Sequence, residues 1–239
     1  WAWAHPPGRL RLVKTLTVPA VDAWPIATLA TWHREDLNVL AAPANNRLLM
    51  VATGESEVIR RRWLPEVERA LFGRVIPGDL DGDGLDELLA EWRDQTRLHI
   101  SAINYNAVEI RRFSAQGAVR VDPLAPAIPR PDSHLRPRAL TDLDGDGTPE
   151  LLADIATGFA LQPRGLICFD SASTSVRWRL DTAGVVIDIA CGDLDGDGRQ
   201  EVVVGTDAVD NGATAADGTT DAGSHAYCVE SDGRVRWRI

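Results

Sequence analysis

Lysine is almost missing from this chain: of 25 basic residues, Lys14 alone is not arginine. Its 239 residues include only one methionine, two tyrosines, four phenylalanines and three cysteines. Cys168, Cys191 and Cys228 are odd in number and each lies in an apolar run, so they read as small buried hydrophobes rather than a disulfide or metal framework, and they leave the redox compartment open. No stretch approaches the roughly 20 apolar residues that a spanning helix needs, which excludes membrane insertion by this segment as a helix. Pro6, Pro7 and Gly8 interrupt the opening where a signal peptide needs an apolar core, so any export signal is expected outside these residues. Walker A, G-x-S-x-G and H-E-x-x-H motifs are lacking too, and His5, His33, His99, His134 and His225 are scattered. No catalytic constellation is visible, and the chain is expected not to be an enzyme.

What is present is a globular composition, 44% hydrophobic and 25% charged, which decides against a disordered chain. An internal repeat runs through it. DLDGDGLDELL from Asp79, DLDGDGTPELL from Asp142 and DLDGDGRQEVV from Asp193 match closely, at spacings of 63 and 51 residues. A worn copy, TWHREDLNVLAA, aligns 48 residues before the first, from Thr31.

Each copy stands between two short apolar runs, such as FGRVIPG and DELLAEW, too brief for helices. A hairpin pattern then follows, starting at Arg47, Arg97, Gly165 and His225, with Gly, Ser, Asn or Asp at the bend. Four strands per unit of about 50 to 60 residues is the period of a β-propeller blade. The expected fold is therefore all-β, a single domain over 1–239 with four-stranded antiparallel blades at about 20–66, 67–118, 134–182 and 183–239. GRLRLVKTL, within 8–17, resembles the last outer strand GRVRWRI and reads as an extra outer strand, so the four blades are expected to belong to a larger propeller.

The acidic loops carry the chemistry. Positions 1, 3, 5 and 9 are Asp79, Asp81, Asp83 and Glu87, then Asp142, Asp144, Asp146 and Glu150, then Asp193, Asp195, Asp197 and Glu201. Glycines at positions 4 and 6 allow the tight path that turns alternate side chains inward. The seventh residue, Leu85, Thr148 or Arg199, is placed to offer its carbonyl oxygen. An all-oxygen cage in a flexible loop selects Ca²⁺ over Zn²⁺ or Cu²⁺, and over Mg²⁺, which demands tighter octahedral geometry. An EF-hand is excluded, because position 12 is Ala90, Ala153 or Val204 and the flanks are strands. In the worn copy Thr31, His33, Glu35 and Val39 take the ligand places, and no ion is expected there.

These loops and the strand order around them resemble the FG-GAP/VCBS repeat family, the blades of integrin α-subunit-like propellers, whose calcium loops read D-x-D-G-D-G-x-x-E/D. The three strong loops match at every ligand position, while Phe72-Gly73 alone survives clearly of the strings that name the family. The resemblance implies three structural Ca²⁺ sites on one face and a protein or carbohydrate partner on the opposite face. It also implies an extracellular, cell-surface or periplasmic setting, where Ca²⁺ is plentiful.

The net charge of −10 becomes +2 without the twelve loop carboxylates, so the acidity belongs to metal ligation and nucleic acid is not an expected partner. The function read from this is a calcium-stabilised, non-catalytic recognition or adhesion domain. Its rivals are the propeller of a polysaccharide lyase-like enzyme and the ligand-sensing ectodomain of a membrane receptor. Trp63, Trp178 and Trp237 are expected to pack blades, flanked by solvated arginines, with carbohydrate stacking as the alternative. The Asp- and Gly-rich insertion Thr206–Ser224 is expected to be a flexible solvated loop, the alternative being a further site built on Asp207, Asp210 and Asn211.

Overall fold

The computed structural model describes residues 30–34, 37–44, 47–53, 58–63, 71–94, 97–104, 106–115, 121–122, 125–129, 133–157 and 162–239. Every regular element among them is a strand. The expected outer strand at 8–17 and residues 20–29 of the first unit lie outside the described residues.

Four four-stranded antiparallel sheets form, each in chain order. The first comprises β1 (Ala30–Arg34), β2 (Leu37–Ala44), β3 (Arg47–Thr53) and β4 (Val58–Trp63). The second comprises β5 (Leu71–Gly78), β6 (Glu87–Arg93), β7 (Leu98–Ile103) and β8 (Glu109–Ala115). A two-stranded ribbon, β9 (Val121–Asp122) with β10 (Ala125–Pro129), separates it from the third and accounts for the longer spacing there. The third is β11 (Ser133–Thr141), β12 (Glu150–Thr157), β13 (Arg164–Asp170) and β14 (Val176–Asp181); the fourth is β15 (Val185–Gly192), β16 (Glu201–Asp207), β17 (Ala226–Val229) and β18 (Val235–Arg238).

The middle strands of the third sheet, β12 and β13, are buried on both faces, which is why they read as nearly continuous apolar runs. Successive side chains point to opposite faces. Leu151, Ala153 and Ile155 of β12, with Ile167 and Phe169 of β13, meet Leu89, Ile100 and Phe113 of the second sheet. Their neighbours Leu152, Leu166 and Cys168 meet Val186, Val202, Val204 and Tyr227 of the fourth. Phe113 and Phe169 cross edge to face at 5.5 Å. Trp63 packs edge-on against Phe72 and Trp92, joining the first sheet to the second.

Three of the four hairpins that end a blade carry a bulge at one place. Cys168 pairs Trp178 and Phe169 pairs Val176, which leaves Arg177 unpaired. By the same count Arg236 stands out of the β17–β18 pairing and Ile110 out of β7–β8. A bulge re-aims its side chain, and here it turns Arg177 and Arg236 toward the loop between the first two strands of their own sheets.

Two expectations need correction. β1 runs through Thr31 and His33, which pair Leu40 and Asn38, and it ends at Arg34 with β2 beginning at Leu37. Pairing thus extends over Thr31, His33 and Val39, three of the four residues aligned with ligand places, where the other units have an open loop. Trp237 does not pack between blades; it is 41% exposed, whereas its counterpart Trp178 is 9% exposed and donates its indole N–H to the Ser231 carbonyl of the fourth sheet.

Candidate metal centre

The acidic loops join β5 to β6, β11 to β12 and β15 to β16, so all three emerge at one end of adjacent sheets. They share one internal frame. In the first, the N–H groups of Gly82 and Gly84 donate to the two oxygens of Asp79 at 2.8 and 2.9 Å. Gly145 and Gly147 hold Asp142 at 2.8 Å each, and Gly196 and Gly198 hold Asp193 at 2.6 and 3.0 Å. The six glycines have φ between 76 and 88°, the left-handed path that a Cβ disfavours. These bonds hold the Asp193 carboxyl below the usual carboxylate range, Gly196 contributing most, then Gly198.

The ninth residue closes each loop from the start of the second strand. Glu87, Glu150 and Glu201 each accept the N–H of the second loop residue through Oε2, from Leu80 at 3.0 Å, Leu143 at 2.9 Å and Leu194 at 2.7 Å. The seventh residues, Leu85, Thr148 and Arg199, donate their N–H groups to Asp83, Asp146 and Asp197 at 2.7–2.8 Å.

Three clusters of carboxylates follow, each able to hold a metal ion with oxygens within 4.8 Å of one another: Asp79, Asp81 and Glu87; Asp142, Asp144 and Asp146; Asp193, Asp195 and Asp197. Asp83 does not join the first, nor Glu150 and Glu201 the second and third. The donor set is carboxylate throughout, which suits a hard cation. Burial pushes the Glu87 carboxyl above its ordinary range, and the neighbouring charges of Asp81, Asp83 and Asp79 add to this against the pull of the Leu80 N–H. Glu201 is 1% exposed and its Oε1 has no hydrogen-bond partner.

The sequence did not expose the part played by two arginines. Arg177, at its bulge, donates through Nη2 to Asp144 at 2.5 Å and through Nη1 to Glu150 Oε1. The bond from Arg177 is the largest influence on Asp144, holding its carboxyl low. Arg236 reaches Asp195 at 2.7 Å in the same way. Neither is simply solvated. The signal available was the V-R-W-R repeated in the last strand of both blades, but the bulge that aims its first arginine is a property of pairing.

The loops at 142–150 and 193–201 also touch. Gln200 donates from its backbone N–H to the Leu143 carbonyl at 2.8 Å and from its side chain to the Asp142 carbonyl at 3.0 Å.

The insertion 206–224 is largely exposed, as expected, but internal hydrogen bonds give it a defined path. Asp221, 1% exposed, accepts N–H groups from Asn211, Gly212 and Ala213 at 3.1 Å each and faces buried Arg164 at 3.3 Å. One buried carboxylate thus gathers the loop. Neither Asp207 nor Asp210 belongs to a metal-holding group of His, Cys, Asp and Glu side chains among the described residues. All three cysteines are free, and burial pushes the Cys168 thiol up to about 12.

The chain matches no family model and no curated protein. Among solved structures it is similar to the Dos1 propeller, at TM-score 0.55 and 13% identity, over 90% of this chain and 47% of that one. It spans about half the length of that relative. A rhamnogalacturonan lyase of Bacillus licheniformis aligns more loosely, at TM-score 0.45 and 11% identity over 90% of this chain and 52% of the lyase. The first likeness and the four stacked sheets give the fold: an all-β propeller type built from four-stranded antiparallel blades.

Proposed function

We propose that this is a calcium-stabilised recognition domain of an exported or surface protein, of the FG-GAP/VCBS kind, with its partner on the face away from the acidic loops. The observation that carries the metal reading is Glu201: a buried carboxylate oxygen without a partner, in a loop whose three aspartates already crowd together. An ion-free carboxylate of this sort costs free energy that a cation relieves. The residues that would hold it are Asp79, Asp81, Asp83 and Glu87 in the first loop, and their counterparts in the others, with the carbonyls of Leu85, Thr148 and Arg199.

Bound Ca²⁺ would neutralise each cluster and add its binding free energy to the folded state. The protein itself supplies the shape, through the glycine N–H groups that hold the first aspartate. At millimolar Ca²⁺ and an affinity of roughly 10 μM, one site stabilises by about 2.7 kcal/mol. Cytosolic concentrations would leave such a site largely unfilled, which supports the extracytoplasmic setting. The test is metal analysis and calorimetric titration of stripped protein reloaded with Ca²⁺. Close to three ions per chain is the expected result; none bound, or a preference for Zn²⁺, overturns the proposal.

A further inference from the structure

The three loops share a frame but differ in what faces it from the last strand of their own sheet. At the bulge opposite loop 142–150 stands Arg177, bonded to both Asp144 and Glu150, with Arg199 of the adjoining loop also acting on Asp144. At the bulge opposite loop 193–201 stands Arg236, bonded to Asp195 at 2.7 Å and lying 3.7 Å from Glu230, while Glu201 Oε1 stays unpartnered. At the third bulge stands Ile110, 38% exposed. Among the described residues no hydrogen bond or ion pair joins an arginine to a carboxylate of loop 79–87; Arg111 donates instead to the Leu80 carbonyl at 3.5 Å.

We infer that the bulge residue sets each loop's affinity for a divalent cation, with Arg177 and Arg236 acting as tethered counter-ions that compete with it. The inference rests on the calcium reading above. A guanidinium that bonds two carboxylates of one loop satisfies the charge a cation would otherwise neutralise, and it repels an ion that arrives beside it. The order of affinity follows from the contacts. Loop 79–87, with isoleucine at the bulge, binds tightest. Loop 193–201, where the arginine holds one carboxylate and leaves the glutamate oxygen free, comes next. Loop 142–150, where both are held, binds weakest.

Such contacts between exposed groups would ordinarily contribute little. Here one partner of Arg177 is Glu150, 1% exposed, and its release is coupled to filling the loop. The arginines also keep their loops formed without an ion, so stability at 142–150 depends less on Ca²⁺ than at 79–87.

The experiment is calorimetric Ca²⁺ titration of the stripped full chain, with Asp81→Ala, Asp144→Ala and Asp195→Ala used to assign each binding step to a loop. Arg177→Gln should tighten the step assigned to 142–150 by on the order of tenfold or more, and Arg236→Gln that assigned to 193–201 by less. Ile110→Arg is the converse and should weaken the tightest step by a similar factor. Circular dichroism of each stripped variant establishes that it is folded. Steps whose affinities ignore the bulge residue, or that weaken when an arginine is removed, overturn the inference while leaving calcium binding intact. Absence of any Ca²⁺ binding in wild type and all variants overturns the calcium reading itself.

Discussion

Trp178 and Trp237 occupy the same place in consecutive blades, opposite Cys168 and Cys228, yet they should respond very differently to truncation. Trp178 is 9% exposed and Trp237 41%, a difference of 32%. Taking roughly 250 Å² for the indole side chain, that is about 80 Å² more surface removed from water, or about 2 kcal/mol at 25 cal/mol per Å². The bond from Trp178 to the Ser231 carbonyl, 2.9 Å long, adds about 1 kcal/mol. Space around it is tight as well, since a Cβ on Gly233 would come within 2.6 Å of the Trp178 side chain. Trp178→Ala should therefore destabilise by about 3 kcal/mol more than Trp237→Ala, measured by urea denaturation at saturating Ca²⁺ and compared at equal m-value. The second loop residues follow the same pattern: Leu80 and Leu143 are buried against the next sheet, and Leu194 is 58% exposed. Equal costs for the two tryptophans would refute the reasoning, because Trp237 would then be covered in solution as Trp178 is covered by the hairpin at 230–233.

Three further outcomes are expected. Asp221→Ala removes the acceptor of three backbone N–H groups and the partner of buried Arg164, so it should cost about 3–5 kcal/mol and open 206–224 to limited proteolysis; intact resistance would contradict this. Burial pushes the Glu91 carboxyl above its ordinary 4.5, against the opposing influence of His134, the Arg74 N–H, Arg136 and Arg93. A raised acid is protonated in the fold first, so its contribution is fully present below pH 4.5 and is lost as pH rises through the raised value. Glu91→Gln should match wild type near pH 4.5 and gain on it toward neutrality in chelated denaturation series; a pH-independent gap would refute that. Finally, Asp144→Ala and Asp195→Ala should combine non-additively by roughly 0.5 kcal/mol or more in thermal melts at millimolar Ca²⁺, because Gln200 ties their loops, while Asp81→Ala adds to Asp195→Ala.

The repeat made the blades and the acidic loops readable because both depend on local chemistry. Two glycines at fixed places determine the turn, the first aspartate accepts from them, and alternation determines the hairpins. Features that depend on pairing or on distant partners were not readable in this way. The bulge that aims Arg177 arises from how β14 registers on β13, which no spacing in V-R-W-R displays. Asp221 looked like one more solvated acid in an Asp-Gly stretch, because its partner Arg164 lies 57 residues away. Thr31 and His33 aligned with ligand places, but the pairing of β1 with β2 claims them for a strand.

The same division explains why near-identical loops need not behave identically. Each first aspartate is already held by two backbone N–H groups, so the turn is formed by the chain and an ion is not required to shape it. What remains for a cation is the mutual repulsion of the other carboxylates. That repulsion is unrelieved in loop 79–87, where Glu87 is raised by three neighbouring aspartates after burial, and it is relieved from outside in loop 142–150, where Arg177 spans Asp144 and Glu150. The motif therefore specifies where an ion could sit, and the strand two places further along the sheet specifies how much is gained when it does.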